Sequence, residues 1–331
     1  MITIKDVARE AGVSIATVSR VFNNVGPVDK GTQQHVRLVA KRLKYVPNAL
    51  GRGLSIRRTD ALGLLLPDLF GEFFSEVIRG ADETAQQYHY HLLVSSSHSN
   101  REEIEAALRM MRGRVDGMVI MSPHIDAQTL STNLPQTLPV ALLNCHVEGR
   151  EYDSLNIDNH GGALQMVRHL IEHGHQHIGI IQGSEHNLDA YERLCGYRDA
   201  LAAHSITIDK RYEQPGNFSE ASGFAAVEHF LGCDPRPTAI FASNDSMAIG
   251  ALSALRRASL RVPEDMALAG FDDIPICEYL TPALTSVRVD VARLGVLAVQ
   301  TVIRAVQHKN GNQAHQVLLP TTLSIRKSCG C

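Results

Sequence analysis

The sequence predicts an all-α helix-turn-helix head joined to a larger α/β body of two doubly wound parallel-sheet lobes. Three observations carry that expectation. Residues 1–58 hold eleven Lys/Arg against three Asp/Glu, while the remaining residues hold 21 against 32, so a small basic head precedes an acidic body. Apolar residues in the head recur at helical spacing around a glycine. The body alternates short β-type apolar runs with amphipathic helical stretches, the pattern of parallel sheets with helices on both faces. At 331 residues the chain has room for two or three domains.

In the head, "IKDVAREAGVSIATVSRVFN" reads as two short helices around a tight turn. Val7, Ala8 and Ala11 form one apolar face, Gly12 supplies the turn, and Ser14 is placed to cap the second helix. Val18 and Val21 face inward from that helix. A small residue where the helices approach, a glycine turn and a β-branched residue at the crossing make the helix-turn-helix pattern. A third helix is expected from Thr32 as cap, with Val36, Val39 and Leu43 facing the other two. The second helix turns Ile15, Ala16 and Arg20 outward. Arginine can bond two acceptors on guanine, and small apolar side chains can meet a thymine methyl in the major groove. Thr3, Ser14, Thr17, Ser19 and Asn23 are short polar residues suited to phosphate oxygens. A basic head of this kind calls for a polyanionic partner, here double-stranded DNA.

In the body, candidate strands fall at 61–67, 91–96, 117–122, 139–144, 177–183, 238–243 and 267–271, with helices at 73–88, 102–112, 161–172 and 245–258. They are too many for one comfortable sheet, so two lobes are expected, with ligand at the carboxyl ends of the strands. Those ends carry Asn144, Asp158, Asn244 and Asp272, with Arg193, Phe218 and the adjacent Phe73 and Phe74 nearby. Planar polar groups take paired hydroxyls and aromatic rings stack on the apolar face of a pyranose, so the set suits a sugar. Each Asn or Asp also has a plain alternative as a helix cap, and for Asp245 capping is the preferred reading.

Other functions find little support. No P-loop, no GxGxxG after a strand and no GxSxG elbow is present, so no enzyme is expected, and no cofactor either. The start "MITIKDVARE" lacks a signal-peptide core and no apolar run approaches about 20 residues, which predicts a cytoplasmic protein without a membrane partner. The six cysteines show no CxxC. His169 and His173 have the spacing of a helical metal pair, but no further ligand is evident, and no metal is expected. Cys329 and Cys331 are read as part of a frayed terminus. A carbohydrate-binding module without DNA binding is the alternative, against which the basic head argues.

The motifs "TIKDVAREAGVSIATVSRVFNN", "YVPNALGRGLS", "HLIEHGHQHIGIIQG", "AIFASNDSMAIGAL" and "ALAGFDDIPICEYLTPALTSVRVD" cover nearly the whole chain. Together they resemble the lac-repressor (LacI/GalR) family of bacterial transcription regulators. The resemblance implies a helix-turn-helix domain at 1–45, a hinge at 46–58 and an effector-binding and dimerising body of the periplasmic-binding-protein type at 59–331. It further implies a first lobe of about 59–160 plus 290–320, and a second of about 161–289 plus the tail. It makes Arg193 in "YERLCGY" the residue that grips effector, with Asp272, Asn244 and Phe218 in the cleft. Asn144 departs from the aspartate of many relatives, and Asn187 and Asp189 stand where purine-binding relatives carry Arg and Thr. It implies a homodimer on a near-palindromic operator, and a repressor whose DNA affinity a small effector controls. In such relatives the hinge becomes helical on DNA and a leucine wedges into the minor groove. That leucine is Leu54 here, with Asn48, Leu50 and Arg52 beside it. Gly51 and Gly53 raise the cost of that helix by roughly 2 kcal/mol per protomer.

Overall fold

The computed structural model describes residues 2–23, 26–45, 58–98, 100–122, 125–145, 147, 152–185, 187–307 and 314–331. The chain forms two compact units, one up to Asp60 with Gly113–Asp116, the other spanning Ala61–Arg112 and Gly117–Cys331.

The first unit holds α1 (Ile4–Glu10), α2 (Ile15–Asn23) and α3 (Lys30–Arg42). Its core is the expected valine and alanine set, Val7, Ala8, Ala11, Val18, Val21, Val36 and Val39, joined by Ala40. Gly12 sits at φ +64°, the left-handed conformation that a side chain resists. Ser14 Oγ accepts the Thr17 N–H at 3.0 Å and so caps α2. The cap of α3 differs from the expected one. Asp29, not Thr32, precedes the helix, and its carboxylate accepts the Thr32 N–H at 3.0 Å. Thr32 is the third helical residue, the position whose orphan N–H a cap serves.

The body contains two six-stranded sheets. The first is built from β1 (Ala61–Leu66), β2 (His91–Ser96), β3 (Gly117–Ile120), β4 (Val140–Leu143), β5 (Asp153–Ile157) and β11 (Gln316–Leu319), in the order β11-β5-β4-β3-β1-β2. The second contains β6 (Ile178–Ile181), β7 (Glu213–Gln214), β8 (Ala239–Ala242), β9 (Ala267–Asp272), β10 (Thr285–Arg288) and β12 (Thr322–Ser324), in the order β12-β10-β9-β8-β6-β7. The first sheet is parallel throughout, while β12 runs antiparallel to β10 as an edge strand. The expected run at 91–96 matches β2, that at 267–271 stops one residue before the end of β9, and the others overrun their strands by one to three residues.

Helices α4 (Glu72–Gln87), α5 (Arg101–Met111), α6 (Ala127–Asn133), α7 (Asn159–Glu172), α8 (Leu188–Ala203), α9 (Glu220–Leu231), α10 (Asp245–Arg257) and α11 (Val291–Gln307) cover the sheets. The chain crosses between lobes after β5, after β10 and after β11, since α7 packs on the second sheet and α11 on the first. α4 and α11 meet at backbone distance through glycines. A Cβ on Gly80 would stand 2.0 Å from the Ala292 carbonyl oxygen, and one on Gly295 would stand 2.2 Å from that of Val77. Buried Leu62, Leu64 and Leu66 of β1 fill the space beneath these helices together with Val77 and Leu294. Among the described residues, no helix is long and apolar enough to cross a membrane.

Candidate ligand cleft and nucleic-acid interface

A cavity of about 720 Å³ opens between strand ends of the two lobes. Phe73 and Phe74 line it from the start of α4, their rings packed edge to face with centroids 5.4 Å apart. Arg193, Phe218, Asn244 and Asp272 line it from the second lobe. Adjacent phenylalanines therefore both reach the cavity, each half-buried. Phe218 stands at φ +66° and packs so closely that a Cβ on Gly183 would meet its ring at 2.2 Å.

Arg193 is the centre of the arrangement and is only 3 % exposed. α8 presents it one turn inside its N-terminus, which Asn187 caps by accepting the Ala190 N–H at 2.9 Å. Its Nε donates to Asn159 Oδ1 at 2.8 Å, and one terminal nitrogen donates to the Ser243 carbonyl. The other lies 3.4 Å from Asp272 Oδ1, and the guanidinium stacks over Phe271 at 3.7 Å from the ring centroid. Such a plane, held by several bonds and a ring, is fixed before any ligand arrives.

Two buried carboxylates, Asp189 and Asp272, lie against this cation, and Asp245 stands beside Asp272. Burial pushes Asp189 up to about 6, against the pull of Arg193. Burial likewise pushes Asp272 up to about 7, with Arg193 opposing and Asp189 adding to the rise. Asp245 is pushed up to about 8 by burial and then by the charge of Asp272. Asp272 has φ +104°, a costly conformation for a residue with a side chain. Its Oδ1 is shut from solvent and, among the described residues, accepts no well-formed hydrogen bond.

Asp158 is placed otherwise than the sequence suggests. Its carboxylate accepts the Gly161 N–H at 2.9 Å and caps α7, away from the cavity lining. Asn144 also stays out of the lining and reaches the cavity only through Asp189, whose Oδ2 accepts its amide at 3.1 Å. Asn244 lines the cavity but its amide is already used, accepting the Met247 N–H at 2.9 Å and donating to the Phe218 carbonyl at 3.0 Å. Asn244 is thus the cap of α10. Asp245, the preferred cap, is instead its first residue, fully buried, accepting from Ser286 Oγ at 2.6 Å and the Ile274 N–H at 2.9 Å.

Asp189, marked in the sequence only as a departure from purine-binding relatives, and Asn159, not singled out there, both join the site. Asn159 donates to Asp189 Oδ1 at 2.9 Å, which links Asn144, Asp189, Asn159, Arg193 and Asp272 in one chain of contacts. Phe70, also not singled out in the sequence, lines the cavity while 83 % exposed. Asn159 follows a β-type run as Asp158 does, and residue order alone does not tell which of the two faces Arg193. Around the cavity, hydrogen bonds join the lobes from Asn144 to Asp189 and from the Ile276 N–H to Glu72 Oε2 at 3.2 Å.

In the helical unit, Ile15, Ala16 and Arg20 are exposed on one face of α2, as expected. Thr3 and Ser14 are exposed, and Thr17 and Ser19 half-buried. Thr3 donates through its hydroxyl to Asp6 at 2.7 Å, and Ser14 and Thr17 hydroxyls lie 2.9 Å apart. The Asn23 side chain, Asn48, Leu50, Arg52 and Leu54 lie outside the described residues.

Comparison with known proteins bears on both sites. Residues 3–48 match the model for bacterial regulatory proteins of the lacI family, and residues 167–329 match a periplasmic binding protein-like domain. Catabolite control protein A of Priestia megaterium is 32% identical over 329 residues, covering 99% of each chain. The HTH-type transcriptional repressor PurR of Photobacterium profundum is 34% identical over 330 residues, 99% of this chain and 98% of that one. A lac repressor dimer bound to operator and the anti-inducer ONPF superposes with a TM-score of 0.84 at 28% identity, covering 99% of each chain. A complex of the transcriptional regulator CelR with cellobiose superposes with a TM-score of 0.75 at 31% identity, covering 99% of this chain and 100% of that one.

Proposed function

The chain belongs to the lacI family of bacterial regulatory proteins, and from that premise we propose a cytoplasmic repressor whose grip on operator DNA is set by a sugar or sugar derivative in the cleft. It is a DNA-binding transcription regulator and not an enzyme. The observation that supports the ligand class is the fixed Arg193 plane beside the Asp272 carboxylate, with Phe73, Phe74 and Phe218 around the same cavity. A guanidinium fork donates to vicinal hydroxyl oxygens, a carboxylate accepts from a hydroxyl, and ring faces take the apolar face of a pyranose. The cellobiose bound by CelR and the ribose bound by an Enterococcus faecium relative belong to this class.

On DNA, one recognition helix meets too few bases for useful discrimination, so a homodimer on a near-palindrome supplies the second half-site. Arg20, Ile15 and Ala16 face base edges, while Thr3, Ser14, Thr17, Ser19 and Asn23 contact phosphates. Asn48, Leu50, Arg52 and Leu54 act in the minor groove from the hinge. Coupling needs a two-state element that both ligands bias, and the two lobes provide it. A ligand that competes for Asp189 or Glu72 exchanges an interlobe hydrogen bond for one of its own and so alters the lobe angle.

The test is operator titration of the dimer by fluorescence anisotropy, using sites from genomic selection, repeated with a panel of sugars and sugar phosphates. The expected outcome is specific binding to a near-palindrome, shifted tenfold or more by one sugar. Specific DNA binding that no sugar alters would remove the ligand class, and no specific site would remove the DNA-reading role.

A further inference from the structure

The C-terminus is folded, not frayed. Ser328 Oγ donates to the Leu268 carbonyl at 2.6 Å and accepts the Thr285 N–H at 2.8 Å, which seats the tail against the second sheet. Cys329 is 1 % exposed, and Gly330 turns the chain at φ +89°. That turn brings Cys331 Sγ to 3.2 Å from His169 Nε2, across 162 residues of sequence. His173 follows four residues later at the end of α7, and the two imidazole rings have centroids 4.3 Å apart. His173 Nδ1 lies 2.8 Å from the His169 carbonyl oxygen. A proton on Nδ1 makes that hydrogen bond and leaves the Nε2 lone pair outward, the second contact by which proteins orient a metal-binding imidazole. One ligand atom from each of His169, His173 and Cys331 lies within 4.8 Å of the other two.

We propose that His169, His173 and Cys331 form a binding site for a divalent ion of the zinc class, which pins the Cys331 segment to the C-terminal end of α7. Two imidazoles and a thiolate suit a borderline-soft ion and disfavour magnesium or calcium, which take oxygen ligands. Around tetrahedral zinc, bonds of about 2.0–2.3 Å place ligand atoms roughly 3.5 Å apart, so these three side chains close on an ion with small rotations. His173 and Cys331 are exposed, so water completes the coordination and the ion enters directly from solvent. Binding transfers the Cys331 thiol proton to solvent and changes no oxidation state. Cys329 stands beside the site with Sγ 3.0 Å from Cys331 Sγ, its own S–H directed to the Arg326 carbonyl at 3.4 Å. It is a neighbour and not a ligand.

The experiment titrates the full-length chain, reduced with a phosphine, with Co²⁺ under visible and near-ultraviolet absorption, followed by displacement with Zn²⁺. One ion per chain with a thiolate-to-cobalt band is expected, and Zn²⁺ raises the thermal midpoint. Cys331→Ser abolishes the band, and both Cys331→Ser and His173→Gln weaken Zn²⁺ binding tenfold or more. Cys329→Ser keeps the band. Cys331 is exposed, so the variant's melting without metal serves as its folding control. Equal Zn²⁺ affinity in wild type, Cys331→Ser and His173→Gln would mean adventitious binding to surface histidines and overturn the site. So would the absence of any thiolate band in the wild type.

Discussion

The α2 face proposed to read DNA and the body cleft proposed to hold ligand present their chemistry in opposite ways. Ile15, Ala16 and Arg20 stand exposed on α2 of a three-helix unit packed through valines and alanines, and their arrangement follows from helical spacing alone. Arg193, Asp189, Asp245 and Asp272 are drawn from α8, α10 and β9 and are buried together, Asp189 and Asp272 against the Arg193 cation and Asp245 beside Asp272. A surface helix can change its outward residues at little cost to its fold. A buried charge network cannot lose a member without stranding the rest. The comparison predicts that mutations in the head alter recognition, and mutations in the cleft alter recognition and stability together.

Arg193→Met puts that difference to its hardest test. Removing the cation leaves Asp272 and Asp189 without their counter-charge, and should destabilise the body by about 3–5 kcal/mol as well as abolish the effector response. Urea unfolding of the purified dimer measures the first and operator titration with effector the second. A loss below about 1 kcal/mol would show that solvent already screens the network.

The pH dependence follows next in size. Asp189, Asp272 and Asp245 hold their protons in the folded state to about 6, 7 and 8, above the ordinary carboxylate value. The folded state therefore binds more protons than the unfolded one between about pH 4 and 8, so these groups make stability fall as pH rises through that window. The thermal midpoint of the body should be higher at about pH 6 than at about pH 8, and Asp245→Asn should flatten the upper part of that slope. A midpoint that instead rises across this window, with the same sign in Asp245→Asn, would reverse the assignment.

Arg20→Ala is the counterpart on the exposed face. It should weaken the operator complex by about 1–3 kcal/mol and relax the base preference at one position. Differential scanning calorimetry should find the body's midpoint unchanged. A matching loss of stability would erase the contrast between the two regions.

Asp158→Ala is the mildest and decides between two readings of one residue. A lost cap on α7 costs about 1 kcal/mol and leaves ligand affinity within about twofold, as calorimetric titration would show. A tenfold loss of ligand affinity at unchanged stability would return Asp158 to the cleft.

Much of this was legible in residue order because it depends on local rules. The head's core, the Gly12 turn and the Ser14 cap each involve residues a few positions apart. The same locality marked Arg193, Phe218, Asn244 and Asp272 near strand ends, and the cavity lining includes all four. Local rules failed wherever two polar residues competed for one task. Asn244 and Asp245 are adjacent, and either can cap a helix. The lobe's interior took Asp245 because Ser286 and the Ile274 N–H, far along the chain, stood ready to satisfy it.

The sequence by itself determined the helical head, the alternation of strand and helix in the body, and the residue types available at the strand ends. Periodicity and propensity act over a turn or a strand, and so remain visible in the order of residues. Tertiary structure alone decided that Asp158 caps, that Asn144 serves Asp189, and that Asp272 keeps a buried oxygen without a hydrogen bond among the described residues. It also carried Cys331 across 162 residues to His169. The folded chain sets these pairings by closing three crossovers between two sheets, and no local spacing encodes which groups then meet.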